Sequence, residues 1–315
     1  MTRVLVTGGA GFIGSNVADR LLADGHTVRV LDNMSTGRQE FNVEAIKSAN
    51  FELVQGDILN EDVVDTALQD VDIVIHLAAN ADIRFGWMHP RRDLEQNVIM
   101  TYNILEGMRR NRVRRLLFSS TGSVYGRPTQ FPTPENCEFP IQTSLYGASK
   151  ASAEGFIAAY SEAGIVSATI FRFVSILGPR YSHGHVYDFV QQLRSNTSYL
   201  SVLGDGNQRK SYLHVYDCAN AIASRLEEDP GFEVLNLGTN EYCTINDSVG
   251  WITDQMGLDP TIEFAGGSQG WVGDNPFIFL DISRMLATSW SPQFSIEKSV
   301  KLTVDWLLEN SWVFE

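Results

Sequence analysis

Arg3-Val-Leu-Val-Thr-Gly-Gly-Ala-Gly-Phe-Ile-Gly14 is the stretch from which the fold is read. A short β-branched and apolar run, Val4 to Val6, meets glycines at Gly8, Gly11 and Gly14. One glycine permits the tight turn from strand to helix, one lets backbone N–H groups approach a pyrophosphate, and one lets helix and strand pack closely. The helical pattern that follows carries Phe12, Ile13, Val17, Leu21 and Leu22 on one face. Its N-terminus offers an anion free N–H donors and a partial positive charge. Many glycine-rich turns bind nothing, so the context decides. A second strand, Thr27 to Leu31, ends at Asp32, where a carboxylate can bond a ribose 2′-hydroxyl and repels a 2′-phosphate. The stretch therefore predicts a dinucleotide site that takes NAD rather than NADP.

Working outward, β and α patterns alternate. Phe51 to Gln55 reads as a third strand and runs into Gly56-Asp57-Ile58. Asp57 either bonds the adenine amino group or caps the helix from Asn60 onward. Val71 to Leu77 is the continuous apolar run of a parallel strand covered on both faces, and Ala78-Ala79 behind it suit close approach of a cofactor. A helix from about Arg91 to Arg110 carries Leu94, Val98, Thr101, Ile104, Leu105 and Met108 on one side, and Arg115 to Ser120 is the fifth strand. This alternation predicts an α/β fold, a doubly wound parallel sheet (Rossmann fold) with right-handed crossovers. Gly8, Asp32, Asp57, Ala78 and Ser119 to Thr121 all fall at carboxyl ends of strands, where such sheets bind ligands. Val166 to Arg172 and Glu233 to Leu237 continue the sheet, and Ser211 to Val215 reads as a short strand. The expected division is a dinucleotide-binding domain, 1–175 plus about 211–243, and a smaller C-terminal substrate lobe, about 176–210 plus 244–315.

The 315 residues are 43% hydrophobic and 20% charged, with a formal net charge of −14. Phosphate-rich partners are repelled by that charge, so no nucleic acid and no membrane surface is expected as partner. No apolar run reaches membrane-spanning length, the first strand starts too early to leave room for a signal peptide, and Cys137, Cys218 and Cys243 show no paired spacing. A cytoplasmic protein without disulfides is expected. His183-Gly-His185 lacks partners for a metal and is read as polar contacts of the lobe, with no metal expected.

The second strong signal is Tyr146-Gly-Ala-Ser-Lys150. Spacing i to i+4 stacks Tyr and Lys on one helix face. An ammonium beside a phenol favours the phenolate and lowers a pKa otherwise near about 10, which makes Tyr146 a general base near neutral pH. Hydroxyls at the end of the fifth strand, Ser119-Ser-Thr121, can bond the same substrate hydroxyl.

These motifs resemble the extended short-chain dehydrogenase/reductase superfamily, and within it the nucleotide-sugar epimerases of the UDP-glucose (UDP-galactose) 4-epimerase kind. The matching residues are Thr7-Gly-Gly-Ala-Gly-Phe-Ile-Gly14, Asp32-Asn33, Gly56-Asp57, His76-Leu-Ala-Ala79, Ser119-Ser-Thr-Gly-Ser-Val-Tyr-Gly126, Tyr146-Gly-Ala-Ser-Lys150, Gly178-Pro-Arg180, and the tract from Gly204-Asp-Gly to His214-Val-Tyr-Asp217. The resemblance implies Thr121, Tyr146 and Lys150 as catalytic residues, with Lys150 also on the nicotinamide ribose. It implies NAD held by Gly8, Gly11, Phe12, Ile13, Gly14, Asp32, Asn33, Ser35, Thr36, Gly37, Asp57, Ile58, Leu77, Ala78, Ala79 and Ser119, beside Tyr146 and Lys150. Asn97 either bonds backbone near the cofactor or caps its helix. Substrate contacts are implied for Thr121, Tyr146, Ser175, Arg180, Arg209, Lys210 and Asp274; Tyr187 and Phe189 pack on the base or sugar, or serve the core. The helices near 91–110 and 145–163 are implied to pair with a second copy in a four-helix homodimer interface.

Departures from the family pattern narrow the chemistry. Related 4,6-dehydratases carry an Asp-Glu pair directly after the catalytic Thr, where this chain has Gly122 and Ser123; the fucose-synthase kind has Cys at the place of Ser123. Hydride removal and return at C4 is then the reaction expected. Ser175 replaces a common Asn, Lys210 replaces a phosphate-binding Arg, and no Arg precedes Gly273-Asp274, where Gln269 and Trp271 stand. A lysine is a point charge without the fork of arginine. The expected function is an NAD-dependent nucleotide-sugar 4-epimerase acting on UDP-glucose and UDP-galactose. The rivals are a 4-epimerase of UDP-glucuronate or a UDP-N-acetylhexosamine, a nucleotide-sugar dehydratase or reductase, and a catalytically silent NAD sensor.

Overall fold

Seven strands answer the alternation read from the sequence: β1 Arg3–Thr7, β2 Thr27–Asp32, β3 Phe51–Gln55, β4 Ile73–His76, β5 Arg115–Thr121, β6 Ser167–Phe173 and β7 Phe232–Leu237. They form one sheet in the order β7-β6-β5-β4-β1-β2-β3, every pair parallel. The computed structural model describes residues 1–80, 86–138, 141–267 and 277–315. Central strands are covered on both faces, as at all four buried positions of β4, whereas edge strand β3 leaves Glu52 and Gln55 exposed. The chain direction across the sheet reverses between β1 and β4. That switch point opens a crevice at the carboxyl ends of the strands.

The crossovers are helices α1 Phe12–Ala23, α2 Glu61–Ala67, α3 Met100–Asn111 and α4 Leu145–Glu162. A short turn, Pro90–Asp93, and a π-helical stretch, Leu94–Ile99, lead into α3. The wider π turn changes the phase of the apolar stripe expected over Arg91 to Arg110. Val98, Thr101, Ile104, Leu105 and Met108 are buried as expected, but Leu94 is 53% exposed. A uniform α-helical period could not reveal that shift.

The later helices are α5 His185–Ser195, α6 Val215–Ser224, α7 Ile245–Met256 and α8 Ile296–Glu309. Thr244 and Asp247 form a reciprocal capping box at the start of α7, satisfying donors left free at a helix N-terminus. The strand expected at Ser211 to Val215 is shorter, Tyr212–His214, and pairs in parallel with Ser175–Leu177 rather than with the large sheet. It stops because the His214 side chain accepts the N–H of Tyr216 at 3.2 Å and so starts α6.

Three histidines are fully or largely enclosed. His76 Nδ1 lies 2.6 Å from Thr7 Oγ1 and its Nε2 3.2 Å from Thr101 Oγ1. His185 Nε2 lies 2.8 Å from Ser248 Oγ, and His214 stacks on Phe294 with ring centroids 4.1 Å apart. Burial pushes His76 and His185 down to about 3 and His214 down to about 4. As pH falls below the unfolded value of about 6.5, the unfolded chain takes up protons that the fold refuses. Stability is therefore expected to fall between pH 6.5 and about 4.5, by up to about 1.4 kcal/mol per pH unit for each histidine. Urea midpoints measured across that range check it; a flat profile would mean that these rings are charged in the fold.

Candidate active site

A cavity of about 960 Å³ opens at the carboxyl ends of the strands and runs from β2 to α5. The glycines at its floor are set by sterics. Gly8 has φ +70°, and a Cβ on it would lie 2.8 Å from the backbone of Ala78. A Cβ on Gly14 would lie 2.2 Å from the Gly8 carbonyl oxygen. Gly11 is the N-cap of α1 and no side chain caps that helix, so its first N–H groups face the cavity as an anion cradle.

Asp32 is fixed by two backbone donors, Ala10 N at 3.0 Å and Met34 N at 2.9 Å. Burial raises its carboxyl pKa, and those two bonds pull the other way. Asp57 lies on the wall and accepts Leu59 N at 2.8 Å. The cap of α2 is Asn60, whose side chain accepts Asp62 N at 3.0 Å; the helix-cap alternative for Asp57 therefore fails. Phe12, Ile13, Asn33, Ser35, Thr36, Ile58, Leu77, Ala78, Ala79 and Ser119 also line the cavity. Gly37 does not, but a Cβ there would meet Asp32 Oδ1 at 2.8 Å. Asn97 sits behind the wall on the π turn. Its Oδ1 accepts Asn80 N at 3.0 Å and its Nδ2 donates to Ser149 Oγ at 2.8 Å, so it holds the backbone after Ala78-Ala79 and caps nothing.

Thr121, Tyr146 and Lys150 meet on the cavity wall. Ser144 caps α4 by accepting Gly147 N at 3.0 Å, which sets Tyr146 in the first turn. Lys150, one turn on, is 2% exposed; it donates to Ser119 O at 2.8 Å and lies 4.7 Å from the Phe118 ring centre. The expected depression of the Tyr146 pKa by Lys150 is not what this geometry produces. Burial pushes the phenol up to about 12, a hydrogen bond from Thr121 opposes it, and Asp93 adds to the rise. Burial also pushes Lys150 down to about 7, with Glu154 pulling it back up. Removing both groups from water disfavours the charged form of each, and that effect exceeds the opposing help of Thr121 and Glu154.

Substrate-side expectations divide. Ser175 and Lys210 line the cavity, with Ser123, Phe189, Gln208 and Tyr212. Arg180 does not reach it, because its guanidinium pairs with Asp19 at 2.6 Å. Tyr187 packs on Phe314 with ring centroids 4.7 Å apart and donates to Val313 O at 3.2 Å. The Arg209 guanidinium lies over the Phe277 ring, 3.9 Å from its centre. Asp274 lies outside the described residues, as do Gln269, Trp271 and Gly273. His185 keeps both ring nitrogens in contacts to Ser248 and Tyr212, the polar lobe role read for it. Asn80, Arg92 and Gln96 on the wall were missed; the i, i+4 spacing of Arg92 and Gln96 was their one signal.

The model of the NAD dependent epimerase/dehydratase family matches residues 4–238. The chain belongs to that family. It is 32% identical to a putative UDP-glucose 4-epimerase of Methanocaldococcus jannaschii, over 98% of this chain and 99% of that protein. Among solved structures, a UDP-galactose 4-epimerase superposes with a TM-score of 0.87 at 35% identity, covering 98% of this chain and 100% of that one. The UDP-glucuronic acid 4-epimerase of Bacillus cereus, in complex with UDP-glucuronic acid and NAD, superposes with a TM-score of 0.89 at 26% identity, covering 98% and 99%. NAD is the cofactor, and the uncapped α1 terminus, the Gly8–Gly14 cradle and Asp32 fit it.

Gly14→Ala tests the cradle. Its Cβ would strike a backbone oxygen that cannot move aside, so a loss of about 1–3 kcal/mol in stability is expected, together with loss of the melting-temperature rise on adding NAD. Thermal melts with and without NAD measure both.

Proposed function

We propose that this family member is an NAD-dependent nucleotide-sugar 4-epimerase that interconverts UDP-glucose and UDP-galactose. The observation that carries the reading is that Thr121, Tyr146 and Lys150 line one wall, Tyr146 a single helical turn from Lys150, where Gly122 and Ser123 place no carboxylate directly after Thr121. The Gly8–Gly14 cradle and Asp32 would hold NAD, whose nicotinamide would supply a reversible hydride acceptor for the sugar C4. Tyr146, as its phenolate, takes the proton of the sugar 4-hydroxyl and gives it back to the opposite epimer, so proton and hydride balance over the cycle. Thr121 holds the same hydroxyl, and the Lys150 ammonium stabilises the phenolate. Lys210 and Ser175 face the diphosphate. The identity to UDP-glucose and UDP-galactose 4-epimerases over almost the whole chain favours the neutral hexose; the likeness to a glucuronate epimerase keeps UDP-glucuronate as the second substrate to test.

Tyr146→Phe is expected to keep NAD and lose about 10²–10⁴-fold in turnover, the usual worth of a positioned base. NMR of the 4-epimer formed from UDP-glucose or UDP-glucuronate measures it, and added NAD should leave the rate unchanged. An unaltered rate in Tyr146→Phe removes the assigned base.

We also propose a homodimer. Ile99, Tyr102 and Phe156 are 40%, 40% and 42% exposed on neighbouring helices, and the Tyr102 and Phe156 rings meet edge-on at 6.3 Å. A second copy covering this face hides an apolar patch that water would otherwise meet. Phe156→Glu should halve the mass seen by light scattering; an unchanged mass places any interface elsewhere. Three free thiols and the absence, among the described residues, of a helix long and apolar enough to cross a membrane fit the cytoplasm.

A further inference from the structure

We infer that Glu154 is a positioning residue for the reaction: its carboxylate keeps the Lys150 ammonium charged and clamps α4 to the end of β5. Tyr146, Lys150 and Glu154 follow at i, i+4 and i+8 on α4, and so share one helix face. Glu154 is 8% exposed. Its Oε1 accepts Ser120 Oγ, the residue before Thr121, and Arg172 Nε at 3.1 Å; its Oε2 accepts Arg172 Nη2 at 2.6 Å. Ser120 and Arg172 are direct partners across β5 and β6. Arg172 also donates to Tyr125 Oη at 2.9 Å and to Glu135 O at 3.0 Å, and Tyr125 donates to Asn236 Oδ1 at 2.7 Å. One carboxylate thus ties the helix bearing Tyr146 and Lys150 to the strand bearing Thr121. The tie continues to the turn that follows Thr121 and to β7.

Geometry also leaves Lys150 little other support. Among the described residues, the titratable and charged groups around it are Glu154 on its own helix, His76 from β4, Tyr146 on the turn before, Asp93 across from Tyr146, and Arg172 from β6 behind Glu154. Burial disfavours a charge on both His76 and Tyr146, and the only direct hydrogen-bond partner of Nζ among the described residues is the carbonyl of Ser119. A buried ammonium near a single carboxylate depends on that carboxylate. Replacing Glu154 removes the anion and leaves Arg172 as an added cation. Both changes act against the charged lysine.

The inference rests on the proposed roles of Tyr146 and Lys150, and the test separates the two. In NAD-bound Glu154→Gln, the alkaline limb of kcat should move about one pH unit lower, so that kcat at pH 8 falls about tenfold while KM changes less than about threefold. Glu154→Asp should recover part of the shift. Independently of turnover, the 13Cε resonance of labelled Lys150, assigned by its loss in Lys150→Met, should titrate at lower pH in Glu154→Gln than in the parent protein. If Glu154→Gln does not fold, Glu154→Gln/Arg172→Met removes the guanidinium left without its carboxylate and should show the same direction of shift. An unmoved lysine titration overturns the inference even if the epimerase reading holds. A shifted titration without turnover of any UDP-sugar upholds it and removes that reading.

Discussion

Everything in the crevice depends on how closely the ends of β1 and β4 approach each other. Gly8 stands where any side chain would sit 2.8 Å from the backbone of Ala78. That contact brings the turn before α1 against the chain leaving β4, and the two together form the floor on which a dinucleotide lies. Gly14 repeats the constraint one turn into the helix, against the carbonyl of Gly8 itself. Neither position has freedom to spare, because the atoms opposite are backbone. Side chains elsewhere can adjust by rotating; this floor cannot.

The second organising fact is the reversal of electrostatic expectation at Tyr146 and Lys150. Proximity alone predicts a lowered phenol, whereas enclosure raises the phenol and lowers the lysine. Enclosure thus opposes a charge on both groups, and a neighbour of each works against that effect. Thr121 acts on the phenol and Glu154 on the ammonium, each one hydrogen bond or one helical turn away. In the proposed mechanism, reactivity rests on the groups behind the wall as well as on Tyr146 and Lys150.

The strands of the parallel sheet, the crossover helices and most of the cavity wall were legible in the sequence, since they rest on periodicity and on glycines with a single permissible use. Asp32 was legible for the same reason: it ends a strand next to the glycine turn. The diphosphate contacts were not. Arg180 and Arg209 look equivalent to Lys210 along the chain, yet Asp19 and the Phe277 ring capture the first two, and neither partner is near in sequence. Tyr187 was left between two readings, and Phe314, 127 residues away, decides for packing. Leu94 was misplaced because a π turn breaks the helical count without any residue that announces it. Glu154 could have been found by carrying the Tyr146–Lys150 spacing one step further.

The carbonyl of Val313, already met as the acceptor for Tyr187, also accepts Arg38 Nη2 at 3.2 Å. Arg38 belongs to the loop behind Asp32 and lies on the cavity wall, while Tyr187 belongs to α5. Trp312 beside it packs against Phe41 at 5.8 Å between ring centroids. One carbonyl therefore ties the loop behind Asp32 to α5, so a backbone change at Val313 reaches both sides of the crevice at once.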